Sequence, residues 1–292
     1  MPAGRFWDLA ISMTHAWSRL GYLPRLHAPR TLNEHILSQK LHFRSDLELA
    51  RQVTDKNLFK SWLQQQGMEE LVVPTQCLIS TVDEAAGARF SRHAAVKPTH
   101  SSGDVMIITG RSSGRFLPDE VGTIAAWLKS DYYLRSREIN YRLLSKAVIV
   151  EDLLVMADGS LPNDYKIFCI CGKPFLIQVD LDRNGDTHRQ LFDKDWNLLP
   201  YSQNVKKFPR KDEPMPMPPA LPAALRYACR LSSHFYLCRI DFYFLGTDKI
   251  KVGEVTFFPG NGASAFCPQS GDFAAGELLA GAARQSLPDD PR

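Results

Sequence analysis

The stretch from Arg239 to Gly260 constrains this chain more than any other. Arg239-Ile-Asp-Phe-Tyr-Phe244 alternates polar and apolar side chains, Gly246 and Asp248 supply turn chemistry, and Lys251-Val-Gly-Glu-Val-Thr-Phe-Phe-Pro-Gly260 follows. The pattern predicts two strands joined by a tight connection. Alternation puts Arg239, Asp241 and Tyr243 on one face and Ile240, Phe242 and Phe244 on the other. Glu254 and Thr256 share a face of the second strand. If the strands pair, two carboxylates and a hydroxyl converge beside an arginine. Such oxygen ligands suit Mg²⁺, which takes a few carboxylates and completes its shell with substrate phosphates. On spacing alone, an edge hairpin with solvated charges is the competing reading.

The rest of the chain alternates helical and strand signals. Phe6, Trp7, Ala10, Met13, Trp17 and Leu20 fall at helical spacing over residues 5–20. That stripe is read as packed on its own domain, with a membrane surface or a partner as the alternative. Thr31-Leu-Asn-Glu34 has capping-box spacing and opens a helix to about Phe43, with another at about Leu47 to Val53. Thr54-Asp-Lys56 begins a helix over about 55–66, stopped by Gly67. Leu71 to Val73 reads as a short strand. Ala94 to Pro98 reads as a strand that delivers Lys97 to its end. The loop Thr99-His-Ser-Ser-Gly-Asp104 and a returning strand from Val105 to Thr109 follow. A Ser/Gly hairpin tip of this kind wraps phosphates with backbone N–H groups, although the loop is neither a Walker loop nor GxGxxG.

Pro118 to Leu128 is a helix, followed by Tyr132, Tyr133, Arg135 and Arg137 as a basic aromatic surface. Ala147 to Leu154 is a buried strand ending in acids. Tyr165 to Cys171 and Pro174 to Asp180 flank Gly172-Lys173 as a hairpin. The proline-rich run from Phe208 to Pro222 is a stiff surface connector. Residues 223–237 are helical, and 283–292 are expected to be disordered.

Composition excludes several classes. Of 292 residues, 44% are hydrophobic and 23% charged, as in ordinary globular proteins. A net charge of +3 gives no footprint for a nucleic-acid partner. No apolar run is long enough for a transmembrane segment, and no signal peptide is evident, so a cytoplasmic location is expected. The six cysteines show no zinc spacing and read as buried small residues in a reducing compartment.

Taken together, Thr54-Asp-Lys56, Val96-Lys97 before the Ser/Gly loop, Val150-Glu-Asp-Leu153 and the Arg239-to-Thr256 hairpin come in the order found in ATP-grasp enzymes. The chain resembles their TupA-like branch, associated with teichuronopeptide biosynthesis. The shared strings are Pro29-Arg-Thr-Leu-Asn-Glu34, Asn163-Asp-Tyr-Lys-Ile-Phe-Cys-Ile-Cys-Gly-Lys173, Gln178-Val-Asp-Leu-Asp-Arg183 and Phe192-Asp-Lys-Asp-Trp-Asn-Leu198. They cover about residues 25–266. Two departures are the glycine-poor loop at 100–104 and Thr256, where the family usually carries Asn.

The resemblance implies an α+β ATP-grasp fold, with two α+β lobes holding ATP between them and a helical N-terminal extension. The expected division is a helical region over 1–54 and an ATP-grasp domain over 55–282, with a lid lobe at about 75–148 and a core lobe at about 149–282. The implied cofactors are ATP and Mg²⁺. Lys56 and Lys97 match the lysines that contact ATP phosphates, and Ser102 and Gly103 the loop that closes over them. Glu151 and Leu153 match the hinge that meets adenine. Asp241, Glu254 and Thr256 match the metal ligands, and Arg239 an arginine near the transferred phosphate. Lys166 is a catalytic candidate facing phosphate or substrate. Asp180 and Arg183 are substrate-binding candidates, Arg183 for a carboxylate, with a salt bridge from Arg183 to Asp180 or Asp182 as the alternative. His100 is read as loop decoration rather than a proton carrier.

The implied function is an ATP-dependent carboxylate–amine ligase working through an acyl phosphate. The family setting points to a uronic acid or amino-acid component of a cell-surface polysaccharide. The partners would be small-molecule or glycan carboxylates and amines, and a homodimer stays open. A phosphotransferase on the same fold, or a non-catalytic nucleotide-binding partner of a glycan-assembly enzyme, are the other readings.

Overall fold

A computed structural model describes residues 3–285 apart from 112 and 184. The chain divides into two compact units, one of residues 1–46 and 155–292, the other of residues 47–154. The divisions fall after Asp46 and Leu154, whereas the sequence suggested boundaries near 54 and 148.

The first unit opens with α1 (Arg5–Leu20), ended by left-handed Gly21, and α2 (Leu32–Leu41). The capping box at the start of α2 forms: Thr31 accepts from the Glu34 N–H while Glu34 reaches back to the Thr31 N–H. Only the small residues Ser12 and Ala16 of α1 are buried, and Ala16 packs against Leu37. Leu20 joins that contact and Ala10 and Met13 are half-buried, but Phe6, Trp7 and Trp17 are exposed, as is Leu9, so the aromatic part of the stripe is not packed on its own domain as expected. The seat is narrow, and larger side chains beside it stay in solvent.

The second unit carries α3 (Leu47–Thr54), α4 (Lys56–Gln65), β1 (Thr75–Ile79), α5 (Val82–Gly87), β2 (Ala94–Pro98), β3 (Met106–Ile108), α6 (Pro118–Lys129), α7 (Tyr132–Ser136) and β4 (Val148–Asp152). Asp55 caps α4 by accepting from the Asn57 and Leu58 N–H groups. Leu71 closes a single 3₁₀ turn, and the strand predicted there starts instead at Thr75, past Pro74. The four strands form one antiparallel sheet in the order β1-β4-β2-β3. Its apolar face packs Val96, Ile108, Val148 and Val150 against α5 and α6 through Ala85 and Ile124. Arg137 and Tyr133 are buried, not part of a surface patch.

The chain then returns to the first unit with β5 (Asp164–Ile170), β6 (Lys173–Leu181), β7 (His188–Asp193), β8 (Ser202–Gln203), α8 (Leu221–Ser232), β9 (Leu237–Phe244), β10 (Ile250–Thr256), β11 (Phe266–Cys267) and α9 (Ser270–Arg284). Five strands form an antiparallel sheet in the order β10-β9-β5-β6-β7. Helices α8 and α9 pack on it. Helix α9 runs on to Arg284, into the segment expected to be disordered, and 286–292 lie outside the described residues.

The proline-rich connector is a strap rather than a free linker. The Arg189 N–H donates to the Pro209 carbonyl at 2.9 Å. The Gln190 amide donates to the Lys211 and Glu213 carbonyls, and Trp196 to that of Met215. The first of these bonds pairs a backbone group on the outer edge of β7, and the side-chain bonds hold the strap against it.

Among the described residues no cysteine is in a disulfide. Cys169 and Cys238 are buried as read from sequence, but Cys171, Cys229 and Cys267 are exposed. Among the described residues no helix is long and apolar enough to cross a membrane.

Candidate functional site

The five-stranded sheet sorts its side chains as alternation requires. Ile240 and Phe242 of β9, Ile167 of β5 and Ile177 and Val179 of β6 are fully buried in the core. The opposite face is polar. Facing Cα partners run across the strands as Glu254–Asp241–Lys166–Gln178, and one step along as Tyr243–Asp164–Asp180–Arg189.

Glu254 stands across from Asp241 because of an irregularity. The β9–β10 pairing runs Val252 to Phe242, then shifts by one residue so that Glu254 meets Asp241 and Thr256 meets Arg239. Gly253 is the extra residue of this bulge. A Cβ there would lie 2.8 Å from a Tyr243 ring carbon, so only glycine fits without moving the ring.

Arg239 and Asp241 form two parallel hydrogen bonds, Nε to Oδ1 and Nη2 to Oδ2, both 2.6 Å. The same Nη2 donates to Thr256 Oγ1 at 3.2 Å and reaches Glu254 Oε1 at 3.4 Å, while the Thr256 hydroxyl donates to Glu254 at 3.1 Å. Lys166 Nζ donates to Asp241 Oδ2 at 3.1 Å, bonds Asp164 Oδ2, and lies 3.9 Å from Asp180. Five sequence candidates, Lys166, Arg239, Asp241, Glu254 and Thr256, therefore form one hydrogen-bonded cluster, with Asp180 at its edge.

The charges set each other's titration. Burial alone raises the Asp241 carboxyl, but Arg239 and Lys166 outweigh it and hold it below its ordinary value. For Asp164 burial prevails over the pull of Lys166 and Arg183, with the Asp241 charge adding to the rise, and its carboxyl is raised. Burial opposes charge on Lys166, yet Asp164 and Asp241 overcome it and raise the ammonium. Asp164 was not singled out from sequence, although Asp164-x-Lys166 has the spacing of two side chains on one strand face. Its Oδ1 is buried with no hydrogen-bond partner among the described residues.

Asp180 is not bonded to Arg183. Its partner is Arg189, which donates through Nε at 2.6 Å and Nη2 at 3.0 Å and stacks 4.1 Å over Phe208. Arg183 donates to the Pro162 carbonyl at 3.1 Å and sits 5.4 Å over the Tyr243 ring. Asp182 lies 3.6 Å from His188. Neither salt bridge considered for Arg183 forms, because β6 and β7 pair Asp180 directly with Arg189.

The second unit holds its own cluster. Glu151 on β4 is buried between Lys97 of β2, 2.8 Å away, and Lys60 of α4, 2.6 Å away. Lys60 also donates to the Val73 carbonyl and Thr75 hydroxyl. Burial pushes the Glu151 carboxyl up, but Lys97 and Lys60 together bring it below its ordinary value. Lys60 was missed from sequence: its spacing in α4 is that of any solvated lysine, and its acid lies on a distant strand. Lys56 donates to the carbonyls of Pro98 and Ser101, fixing the turn after β2. His100 is buried and bonded to the Trp127 carbonyl at 3.1 Å, so it anchors the loop rather than decorating it. Half-buried Ser102 and exposed Gly103 form its tip, where Gly103 adopts a φ of +86°. Leu153 directly follows β4 and is half-buried.

Among the described residues no three carboxylate, imidazole or thiol side chains gather around a metal position. Asp241 and Glu254 are a pair, with the Thr256 hydroxyl beside them. That donor set fits a Mg²⁺ that takes most of its shell from phosphates and water, and does not fit a closed protein cage.

No curated protein matches the chain by sequence. Among solved structures it is similar to a D-alanine–D-alanine ligase from Bacillus anthracis, at 20% identity and a TM-score of 0.46 over 80% of this chain and 67% of that one. It is also similar to an L-amino acid ligase from Bacillus licheniformis, at 16% identity and a TM-score of 0.44 over 82% and 52%. The ATP-grasp ligase PsnB gives 12% identity and a TM-score of 0.40 over 82% and 60%. The chain thus spans about two thirds or less of the length of these ligases. The family model for TupA-like ATP-grasp proteins matches residues 34–280, which hold both clusters, and the chain belongs to that ATP-grasp family.

Proposed function

We propose that this protein is an ATP-dependent carboxylate–amine ligase acting on a uronic acid or amino-acid component of a cell-surface polysaccharide. Family membership supports the ligase class, and the single observation that carries the site is the Arg239–Asp241–Glu254–Thr256–Lys166 cluster on one sheet face.

A carboxylate resists attack because its carbonyl carbon is electron-rich. One of its oxygens attacks the γ-phosphorus of ATP, the bond to the β–γ bridging oxygen breaks, and ADP leaves. The acyl phosphate then meets the amine. The nitrogen lone pair attacks the acyl carbon, the carbon–oxygen bond to phosphorus breaks, and an amide, inorganic phosphate and a proton result. No protein nucleophile is needed, so the protein's work is positioning and charge stabilisation.

Each unit supplies part of that work. In residues 47–154, Lys56 and Lys97 contact phosphate oxygens, Ser102 and Gly103 offer backbone N–H groups, and Glu151 and Leu153 meet the adenine edge. On the five-stranded sheet, Asp241, Glu254 and Thr256 would hold Mg²⁺, which neutralises phosphate charge when bound. Arg239 already lies within hydrogen-bond reach of all three and places its guanidinium where negative charge develops. Lys166, kept protonated by its carboxylates, adds a second fixed cation. Asp180 and Arg183 contact the acceptor.

The test is incubation with ATP, Mg²⁺ and panels of uronic acids, amino acids and amines. ADP release that requires both a carboxylate and an amine, with an amide in the mass spectrum, is expected. A phosphorylated product formed without amine would replace this reading with phosphotransfer.

A further inference from the structure

We propose that α1 and the loop following it form a docking surface for an anionic lipid bilayer. Helix α1 touches its own unit through the Ser12–Ala16 row. Phe6, Leu9, Met13 and Trp17 lie on the adjoining row, three or four residues apart, and so share a face. Phe6 is 72% exposed and Trp17 59%, with Trp7 and Leu9 also in solvent. Large aromatics gain little from water contact, and their amphipathic rings suit the headgroup region of a membrane.

The chain that follows α1 adds further exposed apolar groups. Tyr22, Leu23, Arg25, Arg30, Ser270 and Phe273 line an open cavity of about 580 Å³. Leu23 is 70% exposed and Phe273 49%, so apolar side chains stand at its rim beside two arginines.

Charge selects the occupant. Arg5, Arg19, Arg25 and Arg30 are all exposed, and none is in an ion pair among the described residues. The acid of the cavity, Glu34, is buried with its oxygens taken by the N–H groups of Arg25, Arg30 and Thr31. Cations beside exposed Phe, Trp and Leu match the composition of helices that lie in a bilayer interface and favour anionic headgroups. A second copy of this chain would bring arginines against arginines. The same charge argument disfavours it.

The experiment uses the full chain with two vesicle types, phosphatidylcholine alone and phosphatidylcholine containing phosphatidylglycerol. Co-sedimentation with the anionic vesicles only, weakening with added salt, and a blue shift of tryptophan emission are expected. The Phe6→Ser/Trp17→Ser variant should lose binding. Each of Arg25→Ala and Arg30→Ala should weaken it about fivefold, and all variants should keep the parent circular dichroism. Because Arg25 and Arg30 are exposed, those two variants keep the test decisive even if the double serine variant misfolds. Equal binding to both vesicle types, or binding unchanged in the arginine variants, would overturn the proposal. So would a dimer in light scattering that the serine variant abolishes while vesicles are ignored. None of these readouts depends on ATP turnover.

Discussion

The two charged clusters of this protein are built with opposite surpluses. On the five-stranded sheet, Asp164, Asp180, Asp241 and Glu254 are ion-paired to Lys166, Arg189 and Arg239, so the paired acids outnumber the paired cations by one, with Arg183 nearby acting on Asp164. In residues 47–154, Lys60 and Lys97 share the single carboxylate of Glu151. A region with spare negative charge attracts a divalent cation, and one with spare positive charge attracts phosphate. Mg-ATP carries both signs. The difference teaches that the two units offer charge of opposite sign, one suited to a cation and the other to an anion.

The largest effect that tests this contrast is expected at Asp241. Asp241→Asn leaves Arg239 and Lys166 facing one fewer buried charge and replaces one carboxylate oxygen with an amide nitrogen. Turnover should fall about 10³-fold and stability by about 3 kcal/mol, read from coupled ADP release and urea unfolding. Near-parent turnover would break the assignment of the sheet face to catalysis.

The lysine cluster separates a binding role from a structural one. Lys97→Ala should weaken ATP binding by about 10- to 100-fold, the worth of a charge-assisted hydrogen bond, as read by calorimetry. Lys60→Ala should chiefly lower stability, by about 2 kcal/mol, because Lys60 ties Glu151 to Val73 and Thr75. If the two variants behave alike, the cluster is structural throughout.

The Glu151 carboxyl is depressed in the folded state by Lys97 and Lys60. Its contribution to stability is therefore fully present above the ordinary carboxyl range and is lost as pH falls through the lowered folded value. The melting temperature of the parent should fall more steeply on acidification than that of Glu151→Gln. Parallel curves would show that the pair is unstrained by titration. The smallest effect is expected from Thr256→Val, which deletes the hydroxyl joining Arg239 to Glu254. A loss of about 1 kcal/mol is expected in urea unfolding, with a higher Mg²⁺ requirement in turnover.

Much of the sheet face was legible because strand alternation is a local rule. Arg239, Asp241, Glu254 and Thr256 could be grouped from spacing, and the capping box at Thr31 and Glu34 from four residues. What escaped was long-range. Asp180 finds Arg189 rather than Arg183 because β6 pairs with β7 in a particular register. Lys60 finds Glu151 only once α4 lies beside β4's sheet. The exposed stripe on α1 was misjudged because periodicity identifies an apolar face without saying what covers it.

The unpaired residue at Gly253 carries a consequence out of proportion to its size. An unbroken ladder would set Gly253 opposite Asp241 and aim Glu254 with Ile240, into the hydrocarbon interior. One silent insertion thus fixes the phase of everything downstream on that strand. A side chain at this position would leave that phase intact but press on the Tyr243 ring beside the carboxylates, whereas deleting the residue would turn Glu254 away from Asp241.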